Sequence, residues 1–439
     1  MKISDFPKDI IKKNVKETVE GIEHIIKTCG PRESGCEGCF KSQEEIVKFL
    51  GDAVDETHYE GYTVAPKAFF SFTKVVSIAV MAAGVVSFAL FFANIITYLT
   101  LNIIFGAVVG VGLFITVMEF LLYKQFCDPF CKKVEGHNLV ATRKASGETK
   151  RRIIISGHCD SVYEWRHMYY FGGKGQAAVL ASVIAGAIAS FVVAIIQIIL
   201  LAKGVDNGFA DFVRIASYVL FPFTTVAMIG LFTFVDYKNL VPGANDNLTG
   251  TFAAACAVKM LHEADIRFEN TEVVCMVTDG EEAGLRGCKK FAKDHYDDYM
   301  NSGVETAVLC VDTLTDLEFL NVYNRDMTGT VRHNPKFSSL VMEAAKVAGH
   351  NNLKFANVYF GSSDASAFTQ AGIAATCLAA MDPTPADYYH NRRDNYDRLV
   401  PEAIETGYEI VLSSIAFFFT IAVTKTLVSI AHPARNKTT

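Results

Sequence analysis

Arg151-Arg152-Ile153-Ile154-Ile155-Ser156-Gly157-His158-Cys159-Asp160 is the stretch on which the fold turns. Three consecutive Ile residues leading into a Gly read as a buried strand. That strand delivers a His and, two residues on, an Asp at its carboxyl end. The design recurs downstream. Glu272-Val273-Val274-Cys275-Met276-Val277 reads as a strand leading towards Gly280-Glu281-Glu282-Ala283-Gly284, and residues 306–311 as a strand running into Val311-Asp312-Thr313. Helices are expected at 250–262, 285–295 and 337–348, and further strands at 353–359 and 374–379. Alternating strands and helices predict an α/β fold with a largely parallel central sheet sandwiched by helices. In such sheets ligands gather at the carboxyl ends of strands, where His158, Glu281, Glu282 and Asp312 fall. Gly243-Ala244-Asn245-Asp246-Asn247 and Tyr389-His390-Asn391 add Asp246 and His390. Two His and several carboxylates are hard N/O donors that suit zinc and similar divalent ions, so the set reads as a two-zinc hydrolase site.

Other stretches are unlike a soluble enzyme. Of 439 residues, 51% are hydrophobic, and much of that content is concentrated in long runs. Residues 75–122 contain one charge, Glu119, and have room for two crossings of about 20 residues each, with a turn expected near 98–102. Residues 176–202 contain none, and residues 212–235 only Arg214. A polar loop at 203–211 separates these two. The pattern predicts two helical hairpins and four spans, the fourth kinked at Pro222. Glu119 and Arg214 are expected to snorkel at span ends. Residues 408–430, interrupted by Glu409 and Lys425, read as a buried closing helix of the catalytic domain, with a fifth span as the alternative. The expected organisation is 1–66 as the amino-terminal part of the catalytic domain, 67–124 and 175–236 as transmembrane hairpins, and 125–174 and 237–439 as the rest of the catalytic domain.

Each hairpin returns the chain to the side it left, so all the motifs share one side. The flanks there carry Lys67, Lys74, Lys124, Lys132, Lys133, Arg166, Lys174 and Lys238; the far turns carry Lys203 and Arg214. The positive-inside rule then places the catalytic domain in the cytoplasm. Eleven scattered cysteines, an odd number, argue against a secreted disulfide framework. Cys36-Glu37-Gly38-Cys39 has the spacing of a redox motif or of half a structural zinc site, but no adequate second pair follows, Cys127 and Cys131 being nearest, and the two read as ordinary thiols. The net charge of −6, without a basic run, gives no reason to expect nucleic acid as a partner. Residues 1–67 are charged, polar and helix-like, and are not expected to act as a secretory leader.

Taken together, the motifs resemble the zinc aminopeptidase family that also contains glutamate carboxypeptidase, glutaminyl cyclase and the transferrin receptor. The likeness begins at Cys29-Gly30-Pro31-Arg32-Glu33-Ser34-Gly35, resumes at Asn138-Leu139-Val140-Ala141 and runs to Leu399. The hairpins look like insertions at two loops, the second separating Asp160 from Asp246. The resemblance implies a zinc-exopeptidase-like fold with four inserted transmembrane helices. It implies two zinc ions, one held by His158 and Asp312, the other by Glu282 and His390, with Asp246 bridging both. Asp160 would orient His158, Glu281 would be the general base, and Tyr389 is a candidate donor to the tetrahedral oxyanion. Adjacent side chains point apart, so Glu281 and Glu282 can divide these roles. A cis peptide between Asp246 and Asn247 is also implied. Gly361-Ser362-Ser363-Asp364-Ala365 resembles a loop that usually reads Ser-Asp-His; Ala365 departs from it in a way that bears on the substrate pocket and removes no ligand. His390-Asn391-Arg392-Arg393-Asp394 fits the family's H-x-x-x-D. The implied function is a membrane-anchored two-zinc metallopeptidase, an aminopeptidase acting on small peptides. The alternatives are a glutaminyl-cyclase-like acyltransferase, which uses a single zinc, and a non-catalytic receptor or scaffold. Relatives that become receptors lose ligands, and this chain keeps them.

Overall fold

A computed structural model describes residues 6–384 and 386–420. In chain order its helices and strands begin with α1 (Lys8–Cys29), α2 (Glu37–Leu50), β1 (Glu56–Val64), α3 (Ala68–Phe92), α4 (Tyr98–Thr116), β2 (Val134–Arg143), β3 (Arg151–His158) and β4 (Tyr163–Trp165). Then come α5 (Arg166–Ala202), α6 (Gly208–Phe232), β5 (Val235–Leu240), α7 (Thr249–Glu263), β6 (Thr271–Thr278), α8 (Arg286–Asp294), α9 (Tyr296–Met300) and β7 (Glu305–Leu314). The last are β8 (Leu320–Asp326), β9 (Val331–Arg332), α10 (Pro335–Val347), β10 (Phe355–Asn357), α11 (Ala365–Gln370), β11 (Ala374–Ala380) and α12 (Pro401–Thr420). The chain divides into two compact units. One comprises the chain up to Pro66, Lys133–Val162 and the chain from Leu240 on; the other comprises Lys67–Lys132 and Tyr163–Asn239.

The first unit is built on one sheet of nine strands among the described residues, in the order β1-β2-β6-β3-β7-β11-β8-β10 with β9 paired to β8. The centre, β6-β3-β7-β11, is parallel. The flanking pairs β1–β2, β2–β6 and β8–β11 are antiparallel. Helices α1, α2, α7, α10 and α12 cover one face, and α8, α9 and α11 the other. Ile153, Ile154 and Ile155 of β3 are fully buried, as a strand covered on both faces requires. Gly157 permits one close approach: a Cβ there would lie 2.2 Å from the Gly250 carbonyl carbon, so no larger residue lets the start of α7 lie against β3.

Two expectations are corrected within this unit. Residues 1–67 are not helical throughout, because β1 forms an edge strand paired with β2 from Glu56↔Thr142 to Val64↔Val134. Its exposed, polar outer half hides the strand period. The strand expected at 353–359 shortens to β10. Sequence reading also passed over β8, the antiparallel neighbour of β11. In the apolar stretch 408–430, the part up to Thr420 lies in α12, whose Tyr408, Ile410, Val411, Leu412 and Ile415 are fully buried in the core of this unit. Residues 421–430 lie outside the described residues.

The second unit holds four helices long and apolar enough to cross a membrane: Ala68–Phe92, Tyr98–Leu121, Arg166–Ala202 and Gly208–Phe232. They present Val75, Ile78, Val85, Phe114, Ile188, Phe212 and Val226 outward. Small and hydroxylic residues lie between them. A Cβ on Gly106 would come within 2.7 Å of Ala194 Cβ, and Ser190 Oγ lies 2.8 Å from Thr224 Oγ1, a packing style suited to helices in lipid. The first turn falls at 93–97, ahead of the expected 98–102, because Thr97 caps α4 by accepting from Thr100 N. The second loop closes at Asn207, which caps α6. Glu119 accepts from Cys127 N at 2.8 Å, and Arg214 pairs with Asp211 one turn away. All eleven cysteines are unpaired thiols.

Candidate active site

Parallel strands bring the predicted donors together. His158 ends β3, Asp312 lies near the end of β7, and Glu281 and Glu282 follow β6 in a tight turn. Asp246 lies in the turn before α7, and His390 in the loop after β11. One donor atom each from His158, Asp246 and Asp312 lie within 4.8 Å of one another, and the same holds for Asp246, Glu282 and His390. The two triads share Asp246. His158 Nε2 is 3.2 Å from Asp246 Oδ1, and His390 Nε2 is 3.1 Å from Asp246 Oδ2, so each carboxylate oxygen faces one triad. Glu281 belongs to neither; its Oε2 lies 3.9 Å from His158 Nε2.

The surrounding hydrogen bonds fix this geometry. Asp160 does more than stand behind His158. His158 Nδ1 is 3.2 Å from the Asp160 carbonyl oxygen and 3.5 Å from its Oδ1. The Asp160 carboxylate also accepts from Glu281 N at 3.2 Å and Glu282 N at 3.1 Å, which ties the β3 ligand to the Glu-Glu turn. The peptide bond between Asp246 and Asn247 is cis. Sequence reading assigned no role to Asn245 or Asn247, although both stand in the quoted motif. Asn247 Oδ1 accepts from Gly250 N at 2.9 Å and Thr313 N at 3.1 Å, while its Nδ2 donates to Val311 O at 2.9 Å. It thereby locks the Asp246 turn to the strand end that carries Asp312. Thr313 and His390 adopt left-handed backbone, φ 49° and 50°, a conformation that costs a side-chain-bearing residue about 1–2 kcal/mol and that the packed site must hold. The Tyr389 ring stacks on the His390 ring at 3.7 Å between centroids. Asp364 accepts from Thr278 Oγ1 at 2.6 Å, and Ala365 is fully buried. Cys39 Sγ faces Cys159 Sγ at 3.3 Å.

Electrostatically the cluster holds more carboxylate than its two imidazoles can balance. Burial raises Glu282 well above the usual carboxylate range, and Asp246 and Glu281 raise it further. Burial does the same to Glu281, with Asp364, Asp312 and Asp246 adding to it against the pull of His158. Asp312 is pushed up to about 7 by burial and by Asp246. Asp246 runs the other way: burial opposes its charge, but His158 and His390 hold it below the ordinary value. Burial would lower His158, yet Asp160, Asp246 and Glu281 carry it well above an ordinary imidazole. His390 is lowered by burial. His158 Nε2 and Glu282 Oε1 are buried without a hydrogen bond, although each lies within 3.5 Å of a partner across the cluster. Converging donors that do not satisfy one another, amid excess negative charge, fit divalent cations.

The profile of Peptidase family M28 matches residues 229–415. The match takes in Asp246, Glu281, Glu282, Asp312 and His390; His158 and Asp160 lie upstream of it, across the apolar stretch 163–239. No curated protein matches the sequence. Among solved structures, the aminopeptidase from Aneurinibacillus sp. strain AM-1 is similar at 13% identity and TM-score 0.51, covering 93% of this chain and 95% of its own. The Fimbriiglobus ruber glutaminyl cyclase gives 12% identity and TM-score 0.52, covering 94% and 96%. A zinc aminopeptidase from Bacillus subtilis gives 13% and 0.51, covering 91% and 94%. These likenesses are of fold: a mixed sheet, parallel at its centre and flanked by helices. The match over residues 229–415 is to a peptidase family and supports a peptidase-like function for that part of the chain.

Proposed function

We propose that the chain is a membrane-anchored metallopeptidase that holds two zinc ions and releases amino-terminal residues from small peptides. The observation that carries this reading is the pair of donor triads sharing Asp246, with Glu281 beside them and outside both. His158 and Asp312 would hold one ion and Glu282 and His390 the other, with Asp246 between them. When bound, zinc supplies Lewis acidity that acidifies a water and polarises the scissile carbonyl. Glu281 takes a proton from the attacking water and returns it to the leaving amine. Its buried, carboxylate-rich setting raises its proton affinity, which suits a group that must accept and then donate near neutral pH. Asp160 holds His158 and the Glu281 backbone in register. Tyr389, packed on His390, is assigned to the oxyanion side. The four apolar helices would anchor the enzyme, and the Lys/Arg bias of their flanks favours a cytoplasmic site.

The glutaminyl cyclases among the fold neighbours set the second reading, cyclisation of amino-terminal glutamine. Metal analysis of detergent-purified protein, paired with a dipeptide library and amino-terminal Gln peptides, separates the two. The proposal expects about two zinc ions per chain and released amino acids. One zinc with pyroglutamate as the product would replace it.

A further inference from the structure

Two ionisable side chains outside the donor set grip the turn that carries Asp246. Arg32 is 1% exposed. Its Nε donates to Cys159 O at 2.8 Å and its Nη2 to Gly243 O at 2.9 Å, and Ser161 N donates to Arg32 O at 2.8 Å. Asp394 is fully buried and accepts from Asn245 N at 2.8 Å, Asn245 Nδ2 at 2.8 Å and Asp246 N at 3.1 Å. The Arg32 guanidinium thus sits on the carbonyl that enters the turn, and the Asp394 carboxyl, which burial and Asp246 push up to about 7, accepts from the amides at its middle. Each group meets the end of the peptide dipole that it attracts.

Cys159 directly follows the donor His158, and Gly243 stands three residues before Asp246. In sequence these two segments are separated by residues 163–239, and just beyond them a backbone bond from Val241 N to Val162 O at 2.9 Å brings the two stretches side by side. Arg32 spans them with one guanidinium. A buried charge is costly, and well-packed apolar residues often serve stability as well or better; a planar two-pronged donor fixes a distance between two backbones in a way that packing does not.

We propose that Arg32 and Asp394 are positioning residues of the metal site. Arg32 sets the distance between the His158 strand end and the Asp246 turn, and Asp394 orients the Asp246 backbone so that its carboxylate faces both triads. This rests on the reading of the cluster as a metal site. The test is zinc titration by calorimetry on full-length, chelator-stripped protein in detergent, with thermal unfolding of each metal-free variant measured in parallel. The variants are Arg32→Met, Arg32→Lys and Asp394→Asn. The control is Arg143→Met: Arg143 is also buried and donates to Ala53 O and Ile266 O at 3.1 Å, away from the donors.

Arg32→Met and Asp394→Asn should weaken zinc binding roughly 10–100-fold, the usual cost of losing groups that orient ligands. Arg32→Lys, which keeps the charge without the fork, should fall between them and wild type. Arg143→Met should lower metal-free stability and leave zinc affinity at the wild-type value. Should Arg32→Met not fold, Arg32→Lys and Asp394→Asn decide the matter. Wild-type zinc affinity in the Arg32 and Asp394 variants overturns the proposal, as does an equal loss in Arg143→Met. A wild-type protein that takes up no zinc overturns the metal-site reading, and this inference with it.

Discussion

Asp160→Asn probes the tie between the two halves of the site. The carboxylate of Asp160 accepts from Glu281 N at 3.2 Å and Glu282 N at 3.1 Å. An amide of the same shape can keep one of these bonds, and it turns its own N–H groups towards the other donor. A hydrogen bond to a charged group contributes about 1.5–3 kcal/mol, so losing one should cost about that much. At 1.4 kcal/mol per decade, this is roughly 10–100-fold in kcat/KM. The loss should fall mainly on kcat, because the displaced backbone carries Glu281 and Glu282, whereas no direct substrate contact is removed. Steady-state kinetics on an aminoacyl reporter, with zinc content measured on the same sample, gives the answer. A variant with wild-type kcat/KM and full metal content would refute the reasoning, since the bonds would then be dispensable.

Four further outcomes can be measured. Asp246→Ala removes the carboxylate shared by both triads and should cost at least one metal and the activity; metal analysis finding two ions in this variant contradicts the bridge. Zinc affinity should rise with pH, because burial holds protons on Glu282 and pushes Asp312 up to about 7, and these protons must leave before ligation. Calorimetry in buffers of different ionisation enthalpy should show proton release, and an affinity that is flat across about pH 6–8 contradicts this. Asp312 also sets the sign for the metal-free fold: its contribution is fully present below its unfolded value near ~4 and is lost as pH climbs through about 7, so metal-free stability, followed by thermal unfolding, should fall over that window. For topology, single-Cys labelling with an impermeant reagent in a Cys-depleted background should label Asn207→Cys and spare Ser146→Cys in intact cells; the reverse pattern moves the catalytic side outside.

The centre of the sheet was legible because β3, β6 and β7 are covered on both faces and so read as continuous apolar runs, each with a donor at or near its carboxyl end. The edge was not. β1 is exposed along most of its length, and a strand with one wet, polar side looks like any charged segment. The apolar helices were plain from length and lack of charge, but their ends were set by caps such as Thr97 and Asn207, which hydropathy does not weigh. The predicted donors lie together because His158 and Asp312 sit at the ends of parallel strands and Glu282 just beyond one, while Asp246 and His390 come from a turn and a loop that meet them there. What holds them was hidden. Asn247 reaches β7, and Arg32 reaches both Cys159 and Gly243, through contacts between segments far apart in sequence, which no local pattern encodes.

The central claim, two ions held by the triads and a separate base at Glu281, is tested most directly by Glu281→Gln in a single purified sample, counting zinc and measuring turnover together. Glu281 lies outside both triads, so about two zinc ions per chain should remain while turnover falls on the order of 10²-fold or more, the scale of lost acid–base catalysis. Wild-type turnover with both ions in place would contradict the account.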